Sequence, residues 1–212
     1  MTIWAVVPVK PLERAKSRLA AVLSAKERVS LSEAMLIHTL KVLAESPDLE
    51  RTLVVSRDPR VLSLARAHGA RTVAEQGRPH LNRALVRAAH VARGYGVSAI
   101  LVLPADLPLL TGEDLARLLS YAQRPPVVVL APDRRGTGTN ALLCSPAGLI
   151  EYEFGPDSFA RHRARAEAAG VAVEICRLPS LELDLDLPED LELIRLAGNG
   201  ALTGVQAGGR SL

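Results

Sequence analysis

An α/β fold, with a mostly parallel sheet held between helices on both faces, is predicted by three features of this 212-residue sequence. Short apolar, β-rich runs alternate with longer stretches in which apolar residues recur at helical spacing. The runs at 3–7 and 99–103 are apolar throughout rather than alternating, the pattern of strands covered on both sides. Helix start and stop signals fall between the runs, where crossover helices would need them.

Taken in order, residues 3–7 read as a first, buried strand. Ser24 and Glu27 form a capping-box pattern ahead of a helix whose Val29, Leu36, Leu40 and Leu43 share one face. Residues 53–56 make a second strand, 61–67 a helix closed by Gly69, and 71–73 a short strand. A helix over about 82–93 leads to the most apolar run of the chain, 99–103, the expected central strand. Thr111 and Asp114 open another helix, and 127–131 and 140–144 are further strands. A helix at 158–169 ends at Gly170, a strand covers 171–176, and Pro188 begins a last helix reaching 196. Residues 1–197 thus read as one domain, and the Gly-rich stretch 198–212 as a disordered tail.

Composition narrows the function. With 48% apolar and 23% charged residues the chain is of the globular class. Only 3% is aromatic, which argues against the stacking platforms that bind single-stranded nucleic acid. The net charge of +3 is not gathered into a block that would track a phosphate backbone, so no nucleic-acid partner is expected. No run approaches the length of a membrane span, and residues 1–10 lack the cationic leader of a signal peptide. Cys144 and Cys176 lie apart in apolar segments and read as buried free thiols, as in a reducing cytoplasm. His38, His68, His90 and His162 fall on helices without metal spacing and are expected at the surface.

In parallel sheets, ligands bind where strands run out into loops at their C-terminal ends. The loops selected are 8–19, 56–59, 104–109, 136–140 and 183–190. The first carries Lys10, Arg14, Lys16 and Arg18 between prolines, a composition suited to a triphosphate or equally to a solvated basic loop. Asp106 stands alone just beyond the most apolar strand, where a carboxylate often binds Mg²⁺. Asp184 and Asp186 precede the last helix and are further ligand candidates, while Glu189 and Asp190 suit its positive first turn. Thr137, Thr139 and Asn140 offer polar donors, and Gly155 and Ser158 stand at a helix N-terminus able to hold an anion. The glycine patterns beginning at Gly94 and Gly136 match the dinucleotide fingerprint by letter, but both lead into strands, so a nicotinamide or flavin site is not expected.

Several segments, in consistent order over about residues 3–197, resemble one family. They are Val6-Val-Pro-Val-Lys10, Ala15-Lys-Ser-Arg-Leu19, Val54-Val-Ser56-Arg-Asp58, Leu81-Asn82 and Pro104-Ala-Asp106-Leu-Pro108. Gly138-Thr-Asn140, Phe154-Gly155, Ser158-Phe-Ala-Arg-His162, Asp184-Leu-Asp186 and Pro188-Glu-Asp190 complete the set. The sequence is similar to the 2-phospho-L-lactate and phosphoenolpyruvate guanylyltransferases of deazaflavin coenzyme F(420) synthesis, within the molybdenum-cofactor-type nucleotidyltransferases. His80 stands where the family usually has Gly, Leu187 where Thr is common, and Asp157 where Gly often precedes the helix.

The resemblance implies a three-layer, Rossmann-like nucleotidyltransferase of the nucleotide-diphospho-sugar transferase type. It implies GTP and a small phosphorylated carboxylic acid as substrates, Mg²⁺ as cofactor, and a possible homodimer. Carried over by position, Lys10, Lys16 and Arg18 would hold the phosphates, and Ser56 and Asn82 would lie beside the nucleoside. Asp106 and Asp186, with Asp184 as alternative or addition, would hold Mg²⁺; Thr139, Gly155 and Ser158 would bind the acceptor. Lys16, Asp106 and Asp186 would be the catalytic set.

Overall fold

The computed structural model describes residues 1–77 and 79–197; the expected disordered tail lies outside the described residues. Seven strands form one sheet in the order β3-β2-β1-β4-β6-β5-β7. The strands are β1 (Ile3–Pro8), β2 (Arg51–Ser56), β3 (Arg71–Ala74), β4 (Ala99–Val102), β5 (Val127–Pro132), β6 (Thr139–Ser145) and β7 (Ala172–Ile175). Every neighbouring pair is parallel except those made by β6, which runs against both β4 and β5. The mostly parallel sheet is therefore as the sequence predicts, with one reversed strand that periodicity does not reveal. A buried strand is apolar on both faces whichever way it runs.

Successive residues of β1 point to opposite faces and divide the core in two. Ile3, Ala5 and Val7 pack against α1 (Ala25–Ala44), α2 (Pro59–Ala67), α4 (Gly112–Ser120) and α6 (Pro179–Glu182). Trp4 and Val6 pack on the other side against α3 (Leu81–Gly94) and α5 (Ser158–Ala168). The result is three layers. The helix signals hold: Ser24 and Glu27 close a reciprocal capping box on α1, as do Thr111 and Asp114 on α4.

A third, smaller cluster bears directly on the site. Leu19, Leu23, Leu31 and Met35 pack with Leu183, Leu185 and Ile194 of the segment around α7 (Pro188–Ala197). It ties the 183–194 segment to the basic loop after β1. That loop is more ordered than its composition suggests, with 3-10 turns at Leu12–Arg14 and Ser17–Ala21. Buried Leu12 and Leu19 anchor it.

The histidine expectation needs correction. His162 is fully buried, and His38 and His68 are half-buried with ring nitrogens bonded to the carbonyls of Leu110 and Leu64; His90 is exposed. Ser158, His162 and Ala166 form the buried stripe of α5 at four-residue spacing, which places His162 inward. Both cysteines are free and buried, and burial pushes the Cys144 thiol up to about 12. Among the described residues no helix is long and apolar enough to cross a membrane.

Candidate active site

A cleft of about 520 Å³ runs along the C-terminal edge of the parallel strands. Its walls come from the ends of β1, β2, β3 and β4, from the first residues of reversed β6, and from the 184–186 segment.

Lys16 sits at its charged end. Its backbone lies in the left-handed region, φ +54°, sparsely used by non-glycine residues and found where surroundings over-determine it. This conformation precedes the Ser17–Ala21 turn and carries the ammonium between two acids, 2.9 Å from Asp106 and 3.1 Å from Asp186. Burial works to lower the Lys16 pKa, but the two carboxylates outweigh it and hold the group above the usual lysine value. Arg18 approaches Asp186 at 3.6 Å from the surface.

The two later acids are placed by alternation. In Leu183-Asp-Leu-Asp186 both leucines are buried, so both carboxylates face the cleft. The Leu185 amide donates to the Asp106 carbonyl at 3.0 Å, joining the two acid-bearing segments through the backbone. Asn140 Nδ2 donates to the Leu181 carbonyl at 2.9 Å and reaches Asp184 at 3.3 Å. Burial, with Asp106 and Asp186 nearby, pushes the Asp184 carboxyl up to about 6. For Asp186, burial acts upward, yet Lys16, Arg18 and Lys10 hold it below the ordinary carboxylate range. Among the described residues no group of three or more His, Cys, Asp or Glu side chains forms a ready metal cage. The cation between Asp106 and Asp186 is the Lys16 ammonium.

The structure separates the other expected residues into those at the cleft and those behind it. Lys10, Lys16, Asp106, Asp184 and Asp186 line it. Ser56 is buried and accepts from the Asp58 amide at 3.1 Å. Asn82 exchanges two hydrogen bonds with the Phe154 backbone, at 3.1 and 2.9 Å, clamping that segment against α3. Thr139, Gly155 and Ser158 gather behind Asn140 and Phe154, which are the wall residues on that side. The Thr139 hydroxyl meets His162 Nδ1 at 3.0 Å, and Ser158 is buried as the first residue of α5. Asp157, where the resembled family often has Gly, takes φ +55° and is exposed, and it does not line the cleft.

Three residues have supporting roles that the sequence did not assign them. Asp58 accepts from the amides of Leu12 and Arg60, both at 2.9 Å, fastening the basic loop to the start of α2. Asp190 is almost fully buried and accepts from the amides of Asp186 and Leu187 at 3.0 and 2.7 Å. Arg134 donates to its other oxygen at 3.0 Å. The third is His162, whose Nε2 accepts from the Glu153 amide at 2.9 Å. That bond fixes the Nδ1–H tautomer, so Nδ1 donates to Thr139. Burial lowers the His162 pKa to about 4, keeping the ring neutral.

A sheet of this order, with a basic loop after its first strand and acids beyond its central strand, is the α/β fold of nucleotidyltransferases. A nucleotidyl transferase from Methanothermobacter shares the fold with a TM-score of 0.68 over 92% of this chain and 97% of its own, at 18% identity. Residues 3–204 match the model of the family described as "Guanylyl transferase CofC like", and the chain belongs to that family. A relative from Rubrobacter xylanophilus, named phosphoenolpyruvate guanylyltransferase, is 44% identical over 93% of this chain and 96% of its own. One from Methanothermobacter thermautotrophicus, named 2-phospho-L-lactate guanylyltransferase, is 36% identical over 94% and 87%.

Proposed function

We propose that this protein transfers GMP from GTP to phosphoenolpyruvate with release of pyrophosphate, a cytoplasmic step of coenzyme F(420) synthesis. The observation that carries the reading is Lys16 held between Asp106 and Asp186 at the charged end of the cleft, in a chain of the guanylyl transferase family. The choice of phosphoenolpyruvate follows the name of the 44% identical relative.

In this reading a phosphate oxygen of the acceptor attacks the α-phosphorus of GTP in line. The bond from that phosphorus to the bridging β-phosphate oxygen breaks, and pyrophosphate leaves with the electron pair. The acceptor phosphate is already anionic, so no side chain must remove a proton. Lys10 and Lys16 offset the triphosphate's charge, and a partly enclosed cleft strengthens that effect. Asp58, by holding Leu12, keeps the basic loop in place before substrate arrives, which lowers the entropy lost on binding.

The donor set fits a hard divalent cation. Asp106, Asp184 and Asp186 offer oxygen only, and all three line the cleft. These three residues would hold Mg²⁺, which supplies charge neutralisation at the reacting phosphate. The deciding experiment is pyrophosphate release from GTP and Mg²⁺ with phosphoenolpyruvate, 2-phospho-L-lactate or 3-phospho-D-glycerate offered separately. Release with phosphoenolpyruvate above the other two is expected; silence with all three would overturn the reaction.

A further inference from the structure

The end of the cleft away from the aspartates carries a second charged pair that phosphate chemistry does not use. Arg57 follows β2 directly and Glu75 follows β3, and both line the cleft. Arg57 Nε lies 3.4 Å from Glu75, with the two side chains 26% and 16% exposed. Arg57 Nη2 also donates to the Gly77 carbonyl at 2.8 Å, and Glu75 accepts from the His80 amide at 3.0 Å. These bonds hold the pair side by side without exhausting it. A carboxylate can accept about four hydrogen bonds and a guanidinium donate about five. Pro79 and Leu81 give the same end of the cleft an apolar wall.

Position along the sheet decides what this pair meets. Glu75 and Asp106 follow strands three places apart in the order β3-β2-β1-β4, with the Lys10–Lys16 loop between them. Strand spacing makes that separation roughly 14 Å. A nucleoside triphosphate lying across the strand ends would place its phosphates at the basic loop. Its base would then lie at Glu75, since a carboxylate there repels phosphate. Guanine presents, along one continuous edge, acceptors N7 and O6 followed by donors N1–H and N2–H. Arginine pairs with O6 and N7, and a carboxylate accepts from the two donors. Adenine and cytosine each put an acceptor beside their amino group on the corresponding edge, which would face the carboxylate unpaired.

The geometry points to Arg57 and Glu75 as the residues that select guanine, Arg57 reading O6 and N7 and Glu75 reading N1–H and N2–H. The assignment rests on the proposed use of GTP and adds the residues that choose the base.

The test compares GTP with ITP, which lacks only the 2-amino group, and with 7-deaza-GTP, which lacks the N7 acceptor. In the wild-type protein ITP is expected to fall about tenfold or more below GTP in kcat/KM. In Glu75→Gln the GTP value should drop about tenfold or more while ITP drops less, so the preference collapses. In Arg57→Lys the penalty for 7-deaza-GTP should shrink. Equal use of GTP and ITP by the wild type, or an unchanged ratio in a folded Glu75→Gln variant, would overturn the assignment. Calorimetric binding of GTP and ITP gives the same comparison without turnover. A protein that transfers to none of the acids would thus refute the reaction, while its binding ratio still decides the role of Glu75. If Glu75→Gln melts early, the wild-type ratio and Arg57→Lys decide it.

Discussion

Lys16 is the side chain on which the site turns, because an unusual backbone conformation and two ion pairs meet in it. Substituting Asp106 by Asn keeps the shape but removes a charge that Lys16 faces. Steady-state turnover is expected to fall by roughly 10²-fold or more, with the thermal midpoint little changed. Normal turnover would remove Asp106 from the mechanism. His162 supports a prediction on pH. Its folded pKa of about 4 lies below the unfolded value of 6.5, so the unfolded chain takes up the proton first. The stability contributed by the neutral ring is complete above pH 6.5 and is lost as pH falls toward 4. The full loss would be on the order of 3 kcal/mol. Urea unfolding at pH 7 and pH 5 should show that slope in the wild type and a shallower one in His162→Asn.

Among the elements, the 183–190 segment is held largely by side-chain contacts. It has little regular structure, and its acids are aimed by buried leucines, by Asn140 and by Asp190. Asp190→Ala removes the acceptor for two amides and leaves Arg134 without its partner. A loss of about 2–3 kcal/mol in chemical denaturation is expected, with weaker turnover because Asp184 and Asp186 lose their backing. An unchanged variant would show that the segment holds itself. At the start of α5, Asp157 occupies a left-handed conformation that Gly adopts without strain. Asp157→Gly should therefore leave stability equal or raise it by up to about 1 kcal/mol in the same assay. A clear destabilisation would mean that the Asp side chain is needed there.

At the scale of the molecule, ligand binding should register in global stability. Mg²⁺ with GTP at about 100 times the dissociation constant would add about 2.7 kcal/mol, read as a higher thermal midpoint. No shift, at concentrations that support turnover, would contradict a site formed in the folded state only. The layers of this molecule were legible because periodicity and capping are local properties: Ser24 with Glu27 and Thr111 with Asp114 can be found within four adjacent residues. The acids were legible because 183–186 alternates and Asp106 follows the most apolar run. What stayed hidden is what distance in the chain conceals. The reversal of β6, the bond from Asp58 to Leu12, and the Arg134 to Asp190 pair each join segments whose proximity only the fold creates. His162 was half-legible, since its four-residue spacing from Ser158 and Ala166 marks an inward position that its polarity disguised.

The reversed course of β6 has a consequence for how the protein can be altered. Strands parallel to β1 deliver their site residues on the loops that follow them, whereas β6 delivers Asn140 from its own beginning, where its ladder with β5 shifts register. Its other end, and the exposed turn around Pro146 and Gly148, therefore sit at the far rim of the sheet. That turn is a handle: a tag or fluorophore spliced in there should leave catalysis untouched, whereas the same insertion at the 133–138 turn should silence it.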